Sequence, residues 1–273
     1  MDNAELRIGF FGMGSMGSAL LRALDAAPSG LALRASNFDA SRREALGAEL
    51  AVAVSDAADP DAQADLAQWS DILFVAVKPG GVLPLLASIR HALRPETLVA
   101  SVAAGISLGA LESALGELQP CARVMPNLGA QVSASATTYC LNPACTARLE
   151  ALLTPVLARF GSALRLPEQH MNLATAVAGS GPAYLLLAAE ALIDAAVAEG
   201  MPRKSALKLV QVLFKGTGQL MAEDGSEPAA LRWKVTSPGG TTAAGVAHLE
   251  ATQLRAALAG AVRAARNRAD ELA

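Results

Sequence analysis

Short apolar runs alternate with longer segments of mixed character along the first half of the chain. Leu6–Phe11, Leu31–Ser36, Leu50–Val54, Ile72–Val77, Leu98–Val102 and Ala122–Met125 read as strands, with room for a helix between most neighbours. Ile72-Leu73-Phe74-Val75-Ala76-Val77 shows no polar alternation, which suits a parallel strand covered on both faces. Strand, helix, strand repeated in this way predicts a doubly wound parallel sheet.

From about Glu168 onward the strand signal disappears. Pro182–Glu199 is rich in Ala and Leu and apolar almost all round, which marks a helix buried on most of its surface. Such a helix is hard to hide in a bundle of about a hundred residues, so burial by a partner subunit is expected. In Pro202–Met221, Lys204, Lys208, Gln211, Lys215 and Gln219 recur every three or four residues, opposite Leu207, Val210, Leu213 and Phe214. Gly200-Met201-Pro202 separates these two helices as a stop followed by a first-turn proline. Ala243–Glu250 and Gln253–Glu271 complete an all-α part. The expected division is residues 1–166 and residues 167–273.

Composition narrows the class. Charged residues are 17% and hydrophobic residues 52% of the 273, which excludes a disordered chain. A formal net charge of −3, from 22 basic and 25 acidic residues, gives no basic footprint for nucleic acid. The apolar stretch Ala183–Ala198 is broken by Glu190 and Asp194, so no membrane span is expected. Met1–Glu5 is acidic where a secretory leader is basic. Cys121, Cys140 and Cys145 form no CxxC pair and read as core residues in a reducing compartment. His91, His170 and His248 are scattered without ligand spacing, so no metal is expected. A cytoplasmic enzyme or binding protein is the resulting expectation.

Gly12-Met13-Gly14-Ser15-Met16-Gly17 fits GxGxxG directly after the first strand, at the start of the first helix. Gly12 allows the tight turn, Gly14 lets backbone approach a pyrophosphate, and Gly17 lets helix pack on strand. This context predicts a Rossmann-type, NAD(P)-binding first domain. The ribose 2′ position is read about 20 residues further on, and there stands Asn37 rather than an acid. Ser36 and Asn37 can donate hydrogen bonds, and Arg42 and Arg43 can neutralise a 2′-phosphate, with Asp39 as a turn residue. NADP(H) is therefore favoured over NAD(H). Ala76-Val77-Lys78, Ala104-Gly105 and Asn127 leave later strands at the same sheet edge and are candidate cofactor contacts.

Ser237-Pro238-Gly239-Gly240-Thr241-Thr242 precedes a helical segment. Thr241 or Thr242 is expected to cap that helix, and its free N–H groups make a carboxylate site. Gly179-Ser180-Gly181-Pro182 is a second glycine-opened helix start, read as packing.

These residues together resemble the pyrroline-5-carboxylate reductases, over nearly the whole chain. The likeness runs through Ile8–Gly17, Ala76–Pro79, Ala104-Gly105-Ile106, Arg123–Asn127, Gly179–Tyr184 and above all Thr236–Thr242 with Leu249-Glu250 behind it. The resemblance implies reduction of 1-pyrroline-5-carboxylate to L-proline with NAD(P)H, the last step of proline biosynthesis. It also implies a homodimer, or a ring of dimers, built through the C-terminal helices. Carried over by position, Thr242 bonds the substrate's ring nitrogen as the catalytic residue, and Ser237, Gly239, Gly240 and Thr241 join it in binding substrate. The chain departs from the family at Leu128-Gly129, where Thr-Pro is usual, at Ser133-Ala134-Ser135, where Gly-x-Gly is expected, and at Asn172, commonly acidic. The alternatives are a related imine or ketimine reductase, a β-hydroxyacid dehydrogenase-like NADP oxidoreductase with Lys234 as its acid–base group, and a non-catalytic NADP-binding protein.

Overall fold

A computed structural model describes residues 5–26, 30–50, 52–223 and 227–272. Met1–Ala4 and Ala51, which belong to the leader reading and to the third expected strand, lie outside the described residues. The chain divides into two compact units, Met1–Ser180 with Ala265–Ala273, and Gly181–Ala264. Residues 167–180, placed by their sequence in the helical part, are counted in the first unit, where Met171 is fully buried in a sheet cluster.

The first unit is a single sheet in the order β3-β2-β1-β4-β5-β6-β7-β8. Its strands are β1 Leu6–Phe11, β2 Leu31–Asn37, β3 Ala53–Asp56, β4 Ile72–Val75, β5 Leu98–Ser101, β6 Cys121–Met125, β7 Ser135–Leu141 and β8 Gly161–Arg165. Helices α1 Ser15–Asp25, α2 Ala40–Leu50, α3 Pro60–Trp69, α4 Pro79–Ile89, α5 Leu108–Leu115 and α6 Ala147–Ala158 cover it. The doubly wound parallel sheet is present in β1 to β6. The last two strands are additions to the expected pattern: β7 runs antiparallel to β6, and β8 parallel to β7. Residues 126–134 are too few for the helical crossover a parallel partner needs, so the chain turns back. β7 is hard to read because Ser135, Thr137 and Thr138 are polar yet buried. Ser135 and Thr137 are satisfied there by a shared hydroxyl hydrogen bond of 2.9 Å.

Both sheet faces are covered, and the strands show it by alternation. Ile8, Phe10, Ile72, Phe74, Leu98 and Ala100 enter one core cluster, with Leu20 and Leu24 of α1 and Leu153 of α6. Phe11, Leu73, Val75 and Val99 enter the other, with Leu66, Leu86 and Leu111 of α3, α4 and α5. Phe10 and Phe74 stack at 5.0 Å between ring centroids. At the amino ends of the strands Asp71 accepts from the Arg7 guanidinium at 2.8 Å and from Arg94 at 2.6 Å.

After a single 3₁₀ turn at Glu168–His170, a short helix α7 Met171–Ala174 runs into one π-helical turn, Thr175–Gly179. The second unit then holds α8 Gly181–Ala198, α9 Arg203–Ala222, α10 Pro228–Lys234, α11 Thr241–Ala251 and the first part of α12 Leu254–Glu271. α10 has no counterpart among the expected elements. No residue of α8 is buried in the single chain, and Leu185, Leu186 and Leu187 are each about three-fifths exposed, at 62%, 59% and 66%. The continuous helical run Glu168–Ala198 has the length and apolar composition of a membrane-crossing helix. It extends the broken Ala183–Ala198 stretch toward the amino end and retains Glu190 and Asp194, the latter paired to Arg203 at 2.9 Å.

Candidate active site

The carboxyl end of β1 passes into a tight glycine turn. Gly12 has φ +90°, and a Cβ on it would stand 2.9 Å from the Ala76 carbonyl. A Cβ on Gly17 would stand 2.0 Å from the Gly12 carbonyl oxygen, so α1 can start this close to β1 only with glycine there. Gly14 differs, because nothing lies within 4 Å of the Cβ it lacks. It is the N-cap of α1 and supplies no side-chain capping bond, so the first N–H groups of α1 have no side-chain cap. A cradle left free at Gly14 and closed behind by Gly12 and Gly17 fits a dinucleotide pyrophosphate. Met13 turns its side chain into the core while its N–H donates to Asn37 Oδ1 at 3.2 Å, and Ser15 and Met16 open the helix.

Beside this turn, β2 ends in Ser36 and Asn37. The Ser36 carbonyl accepts from Gly12 N at 2.9 Å, and its fully buried hydroxyl has no partner among the described residues. The two arginines that follow are used differently. Arg43 donates to the Asn37 and Phe38 carbonyls and pairs with Asp56 at 3.0 Å. Exposed Arg42 donates to the Met13 carbonyl at 2.8 Å, which holds its guanidinium at the rim of the glycine turn. Asp39 accepts from Ser41 Oγ and Arg42 N and so secures the start of α2. Phe38, to which sequence reasoning gave no role, is 70% exposed at the same strand end. An aromatic directly after the second strand of such a fold was the signal available.

The remaining strand ends join the same edge. Ala76 N donates to the Phe11 carbonyl at 2.8 Å, Val77 is half-buried, and Lys78 is exposed at the start of α4. Ala104 and Gly105 follow β5, and Gly105 is buried with φ +79°. Asn127 leaves β6 with its amide engaged: Oδ1 accepts from Gly129 N and Nδ2 donates to the Ala178 carbonyl, both at 2.9 Å. Gly129 suits its place, since a Cβ would lie 2.4 Å from the Ala134 carbonyl oxygen.

In the second unit, Ser237–Gly240 form a turn closed by Gly240 N donating to the Ser237 carbonyl at 3.0 Å. Neither threonine caps α11. Gly240 is the N-cap, in extended conformation, with no side-chain bond, because Thr241 and Thr242 are already the first helical residues. The helix start is thus open to a ligand, with Thr241 exposed and Thr242 half-buried. Lys234 is exposed, unlike the buried acid–base lysine of a hydroxyacid dehydrogenase reading. Among the described residues no group of His, Cys, Asp and Glu is arranged to hold a metal.

Residues 168–272 match the family described as pyrroline-5-carboxylate reductase dimerisation. Residues 7–105 match that described as NADP oxidoreductase coenzyme F420-dependent. A pyrroline-5-carboxylate reductase of Methanosarcina acetivorans is 37% identical across 100% of this chain and 99% of its own. The Escherichia coli protein of the same name is 36% identical across 93% of each chain. This chain belongs to the pyrroline-5-carboxylate reductase family. The solved reductase structure from Coxiella burnetii superposes with a TM-score of 0.88 at 29% identity, covering 97% of this chain and 98% of that one. The Plasmodium falciparum structure, which has NADP bound, gives 0.85 at 28% identity over 98% of both. The family match over 168–272 supports oligomerisation through a region that includes the exposed apolar helix α8.

Proposed function

We propose that this chain reduces 1-pyrroline-5-carboxylate to L-proline with NADPH. The reading is carried by one observation: a chain that belongs to this family has an uncapped α11 start at Gly240-Thr241-Thr242. A small anionic heterocycle asks for two things there, charge neutralisation and orientation. The N–H groups of Thr241 and Thr242 and the positive end of α11 grip the carboxylate, aided by Ser237 and Gly239. Thr242 Oγ1 bonds the ring nitrogen, which takes up a proton as the imine becomes the amine. NADPH, when bound, would supply the hydride that the imine carbon takes up.

Gly12–Gly17 hold the pyrophosphate, Asn37 and Arg42 the 2′-phosphate, and the Phe38 ring offers its face to the adenine. The edge formed by Ala76, Val77, Lys78, Ala104, Gly105 and Asn127 borders the nicotinamide half. NADP(H) is preferred over NAD(H), because β2 ends in Ser36 and Asn37 rather than in an acid for a ribose 2′-hydroxyl, and Arg42 of α2 lies beside that end. The working form is a cytoplasmic homodimer, or a ring of dimers, in which a partner covers Leu185, Leu186 and Leu187 of α8.

Loss of NADPH absorbance at 340 nm on adding pyrroline-5-carboxylate tests the reading, with six-membered cyclic imino acids assayed in parallel. Turnover with the five-membered substrate is the expected result. Turnover confined to the larger rings points to the second reading, a related imine reductase, which Leu128-Gly129 and Ser133-Ala134-Ser135 next to Asn127 favour. No NADPH oxidation with any imine overturns both.

A further inference from the structure

The loop after β5 is held from behind by the end of the chain. A Cβ on Gly105 would lie 2.7 Å from the Leu272 carbonyl oxygen, so the last turn rests directly on this loop. The loop's exit is tied as well, with Leu108 N donating to Glu168 Oε1 at 2.6 Å. Both ties lead to one buried side chain. Arg123 of β6 is 4% exposed, stands 3.8 Å from Glu168 Oε1, and donates to Asn172 Oδ1. Asn172 passes the connection on, donating through Nδ2 to Asp270 Oδ1 at 2.7 Å. Asp270 sits exposed in the last turn of α12, where a carboxylate faces the negative end of the helix; Arg266 one turn earlier lies 3.8 Å from its other oxygen. Ala269 beside it is buried.

We propose that Arg123, Asn172 and Asp270 are positioning residues, which press Leu272 onto Gly105 and so set the wall against which the nicotinamide ring lies. The proposal rests on the cofactor reading above. In the order β1-β4-β5 this loop stands two strand spacings, about 10 Å, from the glycine turn. With the pyrophosphate on α1 and the adenine toward β2, that is the nicotinamide side. Asn172 is uncharged, so the carboxylate at the α12 end of this relay is that of Asp270.

The test compares NADPH with 2′-phospho-ADP-ribose, which lacks only the nicotinamide, by calorimetric titration of the full-length enzyme. Asp270→Ala, and a chain ended after Glu271, are expected to weaken NADPH binding about tenfold while leaving 2′-phospho-ADP-ribose within about twofold. Asp270→Glu is expected to recover most of the loss. The shortened chain leaves every residue of α12 in place and decides the matter if Asp270→Ala unfolds early in a melting scan. Equal losses on both ligands, or none on either, overturn the clamp. A wild-type chain that binds neither ligand overturns the cofactor reading itself, and the clamp with it.

Discussion

Arg42 Nη1 donates to the Met13 carbonyl oxygen at 2.8 Å, linking the start of α2 to the turn that opens α1. That bond holds one exposed guanidinium at the rim of the turn, where the proposed function puts a ribose 2′-phosphate, while neighbouring Arg43 is spent on Asp56 and two backbone carbonyls. Arg42→Ala is expected to raise the Kd for NADPH about tenfold to a hundredfold and to change that for NADH little. Parallel titrations with the two nucleotides check it, and an equal loss for both removes Arg42 from phosphate recognition.

Two glycines of one turn separate packing from binding. Gly17→Ala drives a methyl into the Gly12 carbonyl and is expected to cost about 2–3 kcal/mol of stability. Gly14→Ala meets nothing within 4 Å, so stability should change by less than about 1 kcal/mol while NADPH binding falls. Denaturant unfolding and nucleotide titration on the same two variants read both effects. Normal binding by Gly14→Ala would falsify the pyrophosphate assignment.

At the α11 start, Thr242→Ala keeps the backbone N–H groups and removes one hydroxyl. Turnover is expected to fall about a hundredfold or more with the NADPH Kd unchanged. Steady-state rates beside a binding titration check this. Wild-type turnover takes Thr242 out of the chemistry.

Asp71 ties stability to acid. Burial alone raises its pKa, but the bonds from Arg7 and Arg94 outweigh that and hold the carboxyl at about 2, below its usual 3.8. A depressed carboxylate pKa stabilises the fold above the unfolded value and loses that contribution as pH falls through the folded one. Unfolding free energy should therefore lose about 1–2 kcal/mol between pH 4 and pH 2 on this account, after allowance for partial solvent screening. Asp71→Asn should flatten that part of the profile, and an unchanged profile would remove the network as its cause.

Burial pushes the thiol of Cys121 up to about 12 and those of Cys140 and Cys145 to about 11. A thiol this far from ionising is a poor nucleophile at pH 8. A thiol-specific disulfide reagent should label none of the three in native protein and all three in denaturant. Rapid native labelling would contradict the packed-core reading.

The open faces of the structure agree with how local each signal is. β1 and β4 were legible because both their faces are buried, so Phe10, Phe11, Phe74 and Val75 form unbroken apolar runs. The glycine turn was legible because its demands are backbone demands met within six residues. β7 was not, since Ser135 and Thr137 look like loop residues until their hydroxyls find each other inside the sheet. The helix cap, expected at Thr241 or Thr242, falls instead on Gly240, a boundary that depends on backbone dihedrals and not on residue type.

Amino-acid order by itself determined the parallel half of the sheet, the dinucleotide turn, the apolar helix α8 and the glycine-opened start of α11. These rest on periodicity and on glycine geometry, which act between near neighbours. Tertiary structure alone decided that Arg42 stands exposed at the turn while Arg43 is paired to Asp56, and that β7 and β8 extend the sheet. It alone carried Arg123 through Asn172 to Asp270 and brought Leu272 onto Gly105, because those contacts join residues far apart along the chain, and a buried charge such as Arg123 must find its partners wherever the fold supplies them.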